Sequence, residues 1–133
     1  MRKALLPVAL AMLVAGGPAF AEEPTRGEAE LARILDGRVA GEPVDCLEQR
    51  QIRSSRIVNG TAIVYEVGNT LYVNRPTTGA SSLRDGEIMV TDTRSSRLCS
   101  IDMVKLYSSS TRMQMGAVGL GKFVPYAKVK AAQ

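Results

Sequence analysis

The 133-residue chain contains no histidine and no tryptophan. Histidine is the commonest general base at neutral pH and the commonest metal ligand. Its absence excludes Ser-His-Asp and Cys-His catalysis outright. Cysteine is scarce, with Cys46 and Cys99 the two present. If both are oxidised, neither a thiolate nucleophile nor a zinc site is expected, and no cofactor is expected. Aromatic residues are few: Tyr65, Tyr72, Tyr107, Phe123 and Tyr126 follow the N-terminal region. No second long apolar run follows the first, so no membrane span is expected once the leader is removed. Carboxylates remain, but Asp85 and Glu87 alternate at a loop or strand start, and Asp92 and Asp102 stand alone. None has a spacing that demands acid–base work, and solvated charge is the plainer reading.

What is present begins with a leader. Arg2 and Lys3 give a positive start, Ala4 to Ala15 an apolar stretch, and Ala19-Phe20-Ala21 a small-residue cleavage site. This is the grammar of a secretory signal peptide over 1–21, Ala-rich in a bacterial manner. It predicts export to the periplasm or the medium. Without Arg2 and Lys3, fifteen basic residues face thirteen acidic ones, a net of +2. So small a net charge gives little support for a polyanion partner, and there is no basic stripe interleaved with aromatics. No nucleic-acid partner is expected. An exported chain with an even cysteine count suggests a Cys46–Cys99 disulfide.

Residues 22–43 read as a polar segment with a short helix over 26–38. Thr25 and Glu28 fit a capping box, and Leu31, Ile34 and Leu35 fall on one face. Core packing is the plain explanation of that face, and a partner helix the sharper one. Residues 44–133 read as strands. Arg56-Ile57-Val58 runs into Asn59-Gly60, a hairpin signal that also explains the Asn59-Gly60-Thr61 sequon. Strands are expected over 61–67, 70–74, 87–91, 101–107 and 122–129, with a short candidate at 44–47. The fold class is therefore mostly β, at the margin of α+β. It is an antiparallel meander of about 5–6 strands closing into a small barrel or sandwich, with one short N-terminal helix.

Two polar features could bind. The motif R-S-S-R occurs twice, as Arg53-Ser54-Ser55-Arg56 and as Arg94-Ser95-Ser96-Arg97. Arginine forks and serine hydroxyls suit phosphate or sulfate, so Arg53, Ser54, Arg56, Arg94, Ser95 and Arg97 are candidate anion ligands. Two unrelated polar strand entries are the plainer reading. Tyr72, Asn74 and Arg75 form a candidate polar corner, although Asn before a loop often caps it. Gly116 to Phe123, GAVGLGKF, imitates a phosphate loop, but Phe123 stands where a magnesium ligand is needed and Pro125 obstructs the required helix. Its glycines read as turns leading into a final strand.

The order of short motifs from Cys46 to Pro125 resembles a family of small exported Gram-negative proteins that carries only a domain-of-unknown-function label. The matching positions are Cys46, Ile52, Tyr72-Val73-Asn74, Leu83, Arg97-Leu98-Cys99 with Asp102, and Leu120-Gly121-Lys122-Phe123-Val124-Pro125. Where that pattern has two further cysteines, this chain has Ala80 and Val118. The resemblance implies that those two positions pair in the family and are neighbours here, leaving Cys46–Cys99 as the other bridge. It supplies no reaction or ligand.

The reading is a non-catalytic binding or envelope-interaction module, whose partner is an anionic envelope component or another envelope protein. The alternatives are a histidine-free enzyme using Tyr72, Asp92 or Asp102 in a cleft, and an accessory subunit of an envelope complex.

Overall fold

The computed structural model describes Gly16, Gly17 and residues 25–129. The expected cleavage site, with nearly all of the expected leader, lies outside the described residues. In chain order the elements are α1 (Arg26–Ile34), β1 (Arg38–Ala40), β2 (Cys46–Glu48), β3 (Ile52–Val58), β4 (Ala62–Val67), β5 (Thr70–Asn74), β6 (Ile88–Thr91), β7 (Arg97–Cys99), β8 (Met103–Tyr107), β9 (Gln114–Gly119) and β10 (Phe123–Lys128). Single helical turns at Gln49–Gln51 and Ala80–Ser82 interrupt them. The class is mostly β, as expected, and the described residues hold one α-helix and ten strands where five or six strands were expected. They form antiparallel sheets of five (β1-β10-β5-β4-β3), three (β6-β8-β9) and two strands (β2-β7). The sheets do not close into a barrel, and the arrangement is sandwich-like.

The five-stranded sheet is covered on both faces, which follows from side-chain alternation. Val58, Val64 and Val73 point one way and pack with Leu31 of α1. Ile57, Ile63, Tyr65 and Phe123 point the other way, onto Leu47, Leu98, Val104, Leu106 and Val118 of the smaller sheets. Burying each such aliphatic side chain contributes about 1.5–3 kcal/mol. Tyr65 and Phe123 meet edge-to-face with centroids 5.7 Å apart.

Local signals set the element ends. The Thr25 hydroxyl accepts from the Glu28 N–H at 3.2 Å, capping α1. Gly60, at φ 61°, turns the chain between β3 and β4, while Asn59 keeps a negative φ. The helix stops earlier than the apolar spacing predicts, because Gly37 at φ 73° redirects the chain into β1. That strand was not expected. Arg38 fastens it by donating from Nη1 to the carbonyls of Asn69 and Tyr126, at 2.9 and 3.0 Å.

The largest correction concerns GAVGLGKF. Gly116 and Gly119 are not turns but lie inside β9. A Cβ on Gly119 would sit 2.6 Å from the Thr78 hydroxyl, and one on Gly116 would sit 2.8 Å from the Ser82 Cβ. These glycines permit close approach of the 78–82 segment. Thr78 and Gly119 form an isolated antiparallel bridge, and a Cβ on Gly79 would lie 3.3 Å from the Val118 Cα. The segment bearing Ala80 thus runs alongside the strand bearing Val118.

Cys46 and Cys99 are register partners in the β2–β7 pair and are joined by a disulfide across a separation of 53 residues. Cross-linking a loop of that length removes unfolded-state entropy worth about 4 kcal/mol in the chain-entropy account. Replacing both residues (C46S with C99S) is expected to lower the urea-unfolding free energy by about 2–4 kcal/mol, while the native near-ultraviolet circular dichroism is retained at low temperature. A midpoint unchanged in urea would contradict this.

Candidate functional site

The two R-S-S-R copies occupy different layers. Arg56 is the register partner of Val64 and faces the helix side of the sheet, where its Nη2 pairs with Glu30 of α1 at 2.8 Å. With Glu30, Arg33 and Ile34 it lines an open cleft of about 440 Å³. Arg53 sits at a register shift in β3 and pairs loosely with Glu66 at 3.9 Å, and the Ser54 hydroxyl donates to the same carboxylate at 3.0 Å. β3 is one of the two outer strands of the five-stranded sheet. A bulge and charged side chains on such a strand discourage pairing with another chain. The second copy lies on the opposite side of the sheet. Arg97 pairs with Glu48 across the β2–β7 ribbon at 3.3 Å. The Ser95 hydroxyl donates to the Arg97 carbonyl and accepts from its N–H, both at 3.2 Å. Arg94 is exposed beside it. The structure does not bring the two copies together.

The polar corner is structural in its contacts. Asn74 is wholly buried. Its amide nitrogen donates to the Gly121 carbonyl at 2.7 Å, and its Oδ1 accepts from the Gly121 N–H at 2.9 Å. Both halves of the side chain thus satisfy a buried main-chain segment that has no strand partner at that point. Tyr72 packs against the larger core. Arg75 points to α1 and makes a bidentate pair with Glu28, at 2.6 and 3.1 Å. The guanidinium hydrogen bonds hold the Glu28 carboxyl below its usual range. Burial pushes the Tyr65 phenol well above its ordinary value. Of the residues considered for catalysis, Asp102 accepts from the Cys99 N–H at 2.7 Å and fixes the β7–β8 turn. Asp92 is exposed just past β6.

One surface escaped the sequence reading. On the outer face of the three-stranded sheet, Ile88 and Val90 of β6 lie opposite Tyr107 and Lys105 of β8. Met103 of β8 and Met115 at the irregular end of β9 continue the face, both more than half exposed. Ile101, 89% exposed, and Met113, 67% exposed, project at its two ends. An apolar cleft of about 250 Å³ opens there between Ile88, Val90, Tyr107 and Arg112. Among the described residues, no carboxylate forms an ion pair with Lys105 or Arg112. The signal was present as alternation of Ile88, Val90, Met103, Lys105 and Tyr107, but alternation alone does not say which face is covered.

Comparison with family models, curated proteins and solved structures returned no match. No helix among the described residues is long and apolar enough to cross a membrane. The disulfide fits an exported chain.

Asn74→Ala leaves the Gly121 N–H and carbonyl without partners and is expected to cost about 2–4 kcal/mol in urea unfolding. Asn74→Asp, which lacks the amide donor, is expected to destabilise as well, and a neutral result for both would refute the role. Glu28→Gln tests the helix anchor. The folded carboxyl has the lower pKa, so its contribution is present above the unfolded value near 4.5 and is lost as pH falls below it. The pair is partly exposed, so the expected loss is about 0.5 kcal/mol at pH 7, shrinking as the pH falls below the unfolded value. Parallel thermal-melt profiles of wild type and variant across that range would contradict it.

Proposed function

We propose that the protein is a small exported binding module of the bacterial periplasm or extracellular medium, without catalytic activity. It attaches to an anionic envelope component through the outer face of its three-stranded sheet. The observation that carries this reading is the face on which Ile88, Val90, Met103 and Met115 are exposed around Lys105, with the half-buried Tyr107 at its edge. Such patches on a small domain mark contact surfaces. Lys105 and Arg112 give the face its charge preference, because neither is neutralised by a carboxylate of the described chain. A cation near an anionic lipid surface contributes about 1 kcal/mol, and salt screens it. Tyr107 presents an apolar ring with a polar tip, which suits the boundary between headgroup and acyl chain.

The clustered arginines support the reading less. Arg53, Arg56 and Arg97 are already engaged by Glu66, Glu30 and Glu48, and a ligand would have to displace these partners. Membership of the exported family suggested by the Tyr72-Val73-Asn74 and Leu120 to Pro125 motifs belongs to the same proposal.

Vesicle flotation tests it. The mature chain is expected to float with vesicles containing phosphatidylglycerol or a phosphorylated glycolipid, and not with phosphatidylcholine alone. Binding is expected to weaken about tenfold when Lys105→Glu replaces one attractive charge with a repulsive one, and on raising salt. Val90→Glu with Met103→Glu is expected to abolish it. Flotation that ignores lipid charge, or none with either vesicle, would refute the anionic-surface reading. So would a stable complex formed on the same face with a protein alone.

A further inference from the structure

We propose that Met103, Met113 and Met115 form a reversible oxidation site, at which a hydroperoxide converts exposed thioethers to sulfoxides and turns the outer sheet face polar. The consequence for attachment rests on the reading of that face as the contact surface, but the chemistry of the site does not. Composition narrows the targets of an oxidant first. Oxidants of this class attack thiols and thioethers readily. The chain has no histidine and no tryptophan. Both cysteines are closed in the Cys46–Cys99 disulfide, which leaves no free thiol. The reaction therefore falls on methionine. Of six methionines, Met1 and Met12 fall in the expected leader, which leaves Met89, Met103, Met113 and Met115.

The fold then divides these four. Met89 of β6 is half-buried and packs against the larger core. Met103, Met113 and Met115 are 51%, 67% and 57% exposed. The alternation of β8 sends Val104 and Leu106 into the core and leaves Met103 outside. Its sulfur lies towards β9, opposite Gly119, where a Cβ would sit 3.4 Å from Sδ. Met113 and Met115 stand at the other end of the same hairpin, just before and within β9. The oxidisable sulfurs are thus gathered on the face that also carries Ile88, Val90 and Lys105. In the reaction the sulfur lone pair attacks the outer oxygen of the hydroperoxide. The S–O bond forms as the O–O bond breaks, and the proton of the transferred oxygen passes to the leaving oxygen. Sulfur is oxidised, while hydrogen peroxide is reduced to water and an organic hydroperoxide to its alcohol. The sulfoxide is polar and disrupts apolar contacts, and sulfoxide reductases with a thiol reductant restore the thioether. Half-burial spares Met89, so the change stays on the surface and leaves the core intact.

Hydrogen peroxide treatment of the mature protein, followed by peptide mass mapping, tests the site. Met103, Met113 and Met115 are expected each to gain one oxygen atom, at least about fivefold faster than Met89. Retention on a phenyl matrix reads the polarity of the face without any lipid. It is expected to fall on oxidation and to recover after treatment with methionine sulfoxide reductase and dithiothreitol, with the near-ultraviolet circular dichroism unchanged throughout. In the triple variant Met103→Leu, Met113→Leu and Met115→Leu, peroxide is expected to leave retention where it stood in the same variant untreated. Flotation of wild type with phosphatidylglycerol vesicles is expected to weaken about tenfold on oxidation. Vesicles that float neither form, with phenyl retention still lost on oxidation, refute the lipid reading and support the oxidation site on its own. The proposal is overturned if Met89 reacts as fast as the other three, or if oxidised wild type keeps its phenyl retention. It is also overturned if oxidised wild type floats as strongly as untreated protein, or if the leucine variant loses retention on oxidation as wild type does.

Discussion

Strand β4 must be apolar on both faces, and the rest of the molecule is arranged around that constraint. Ala62, Ile63, Val64 and Tyr65 are all buried, which a strand covered on one side would not require. The helix covers Ala62 and Val64, and the smaller sheets cover Ile63 and Tyr65. Removing either layer would expose half of a continuous hydrophobic strand. The helix is accordingly fastened by paired charges at Glu28–Arg75 and Glu30–Arg56. On the opposite side the disulfide locks the β2–β7 ribbon, and Asn74 of the large sheet holds the chain at Gly121, where its side chain replaces a missing strand partner.

Close approach explains much of the glycine and arginine usage. Gly27 of α1 lies so near the β3–β4 turn that a Cβ would sit 2.6 Å from the Asn59 carbonyl. Gly121 meets the Arg75 carbonyl at 2.5 Å in the same sense. These positions let elements pack backbone to backbone, and a phosphate-loop spacing arises in GAVGLGKF as a by-product. The R-S-S-R repeat has an equally plain physical content. One copy marks a bulged, charged outer strand, and the other marks a ribbon entry. In β6 the alternation divides the strand, with Ile88 and Val90 exposed to solvent and Met89 packed against the larger core.

Several elements were legible because their causes are local. The Thr25 cap, the turn at Asn59-Gly60, and the alternation in β5 and β8 each depend on residues a few positions apart. The pairing of Cys46 with Cys99 followed from there being two cysteines in a chain that reads as exported. Strand β1 was not legible, because its three residues are held by Arg38 contacts with Asn69 and Tyr126. Strand β9 was missed because glycine weakens any strand signal, and here its benefit lies in a neighbour far along the chain. Asn74 looked like a surface corner, since its spacing with Tyr72 and Arg75 carries no sign of Gly121.

The sequence by itself determined the β class, the turn at Asn59-Gly60, the helix cap and the absence of histidine chemistry, since composition and short-range spacing suffice for these. Only the tertiary structure decided which face of each amphipathic strand is covered. It also placed the two arginine clusters in different layers and buried Asn74. Those outcomes depend on contacts between residues tens of positions apart, and an alternating pattern fixes two faces without saying which one meets a neighbour.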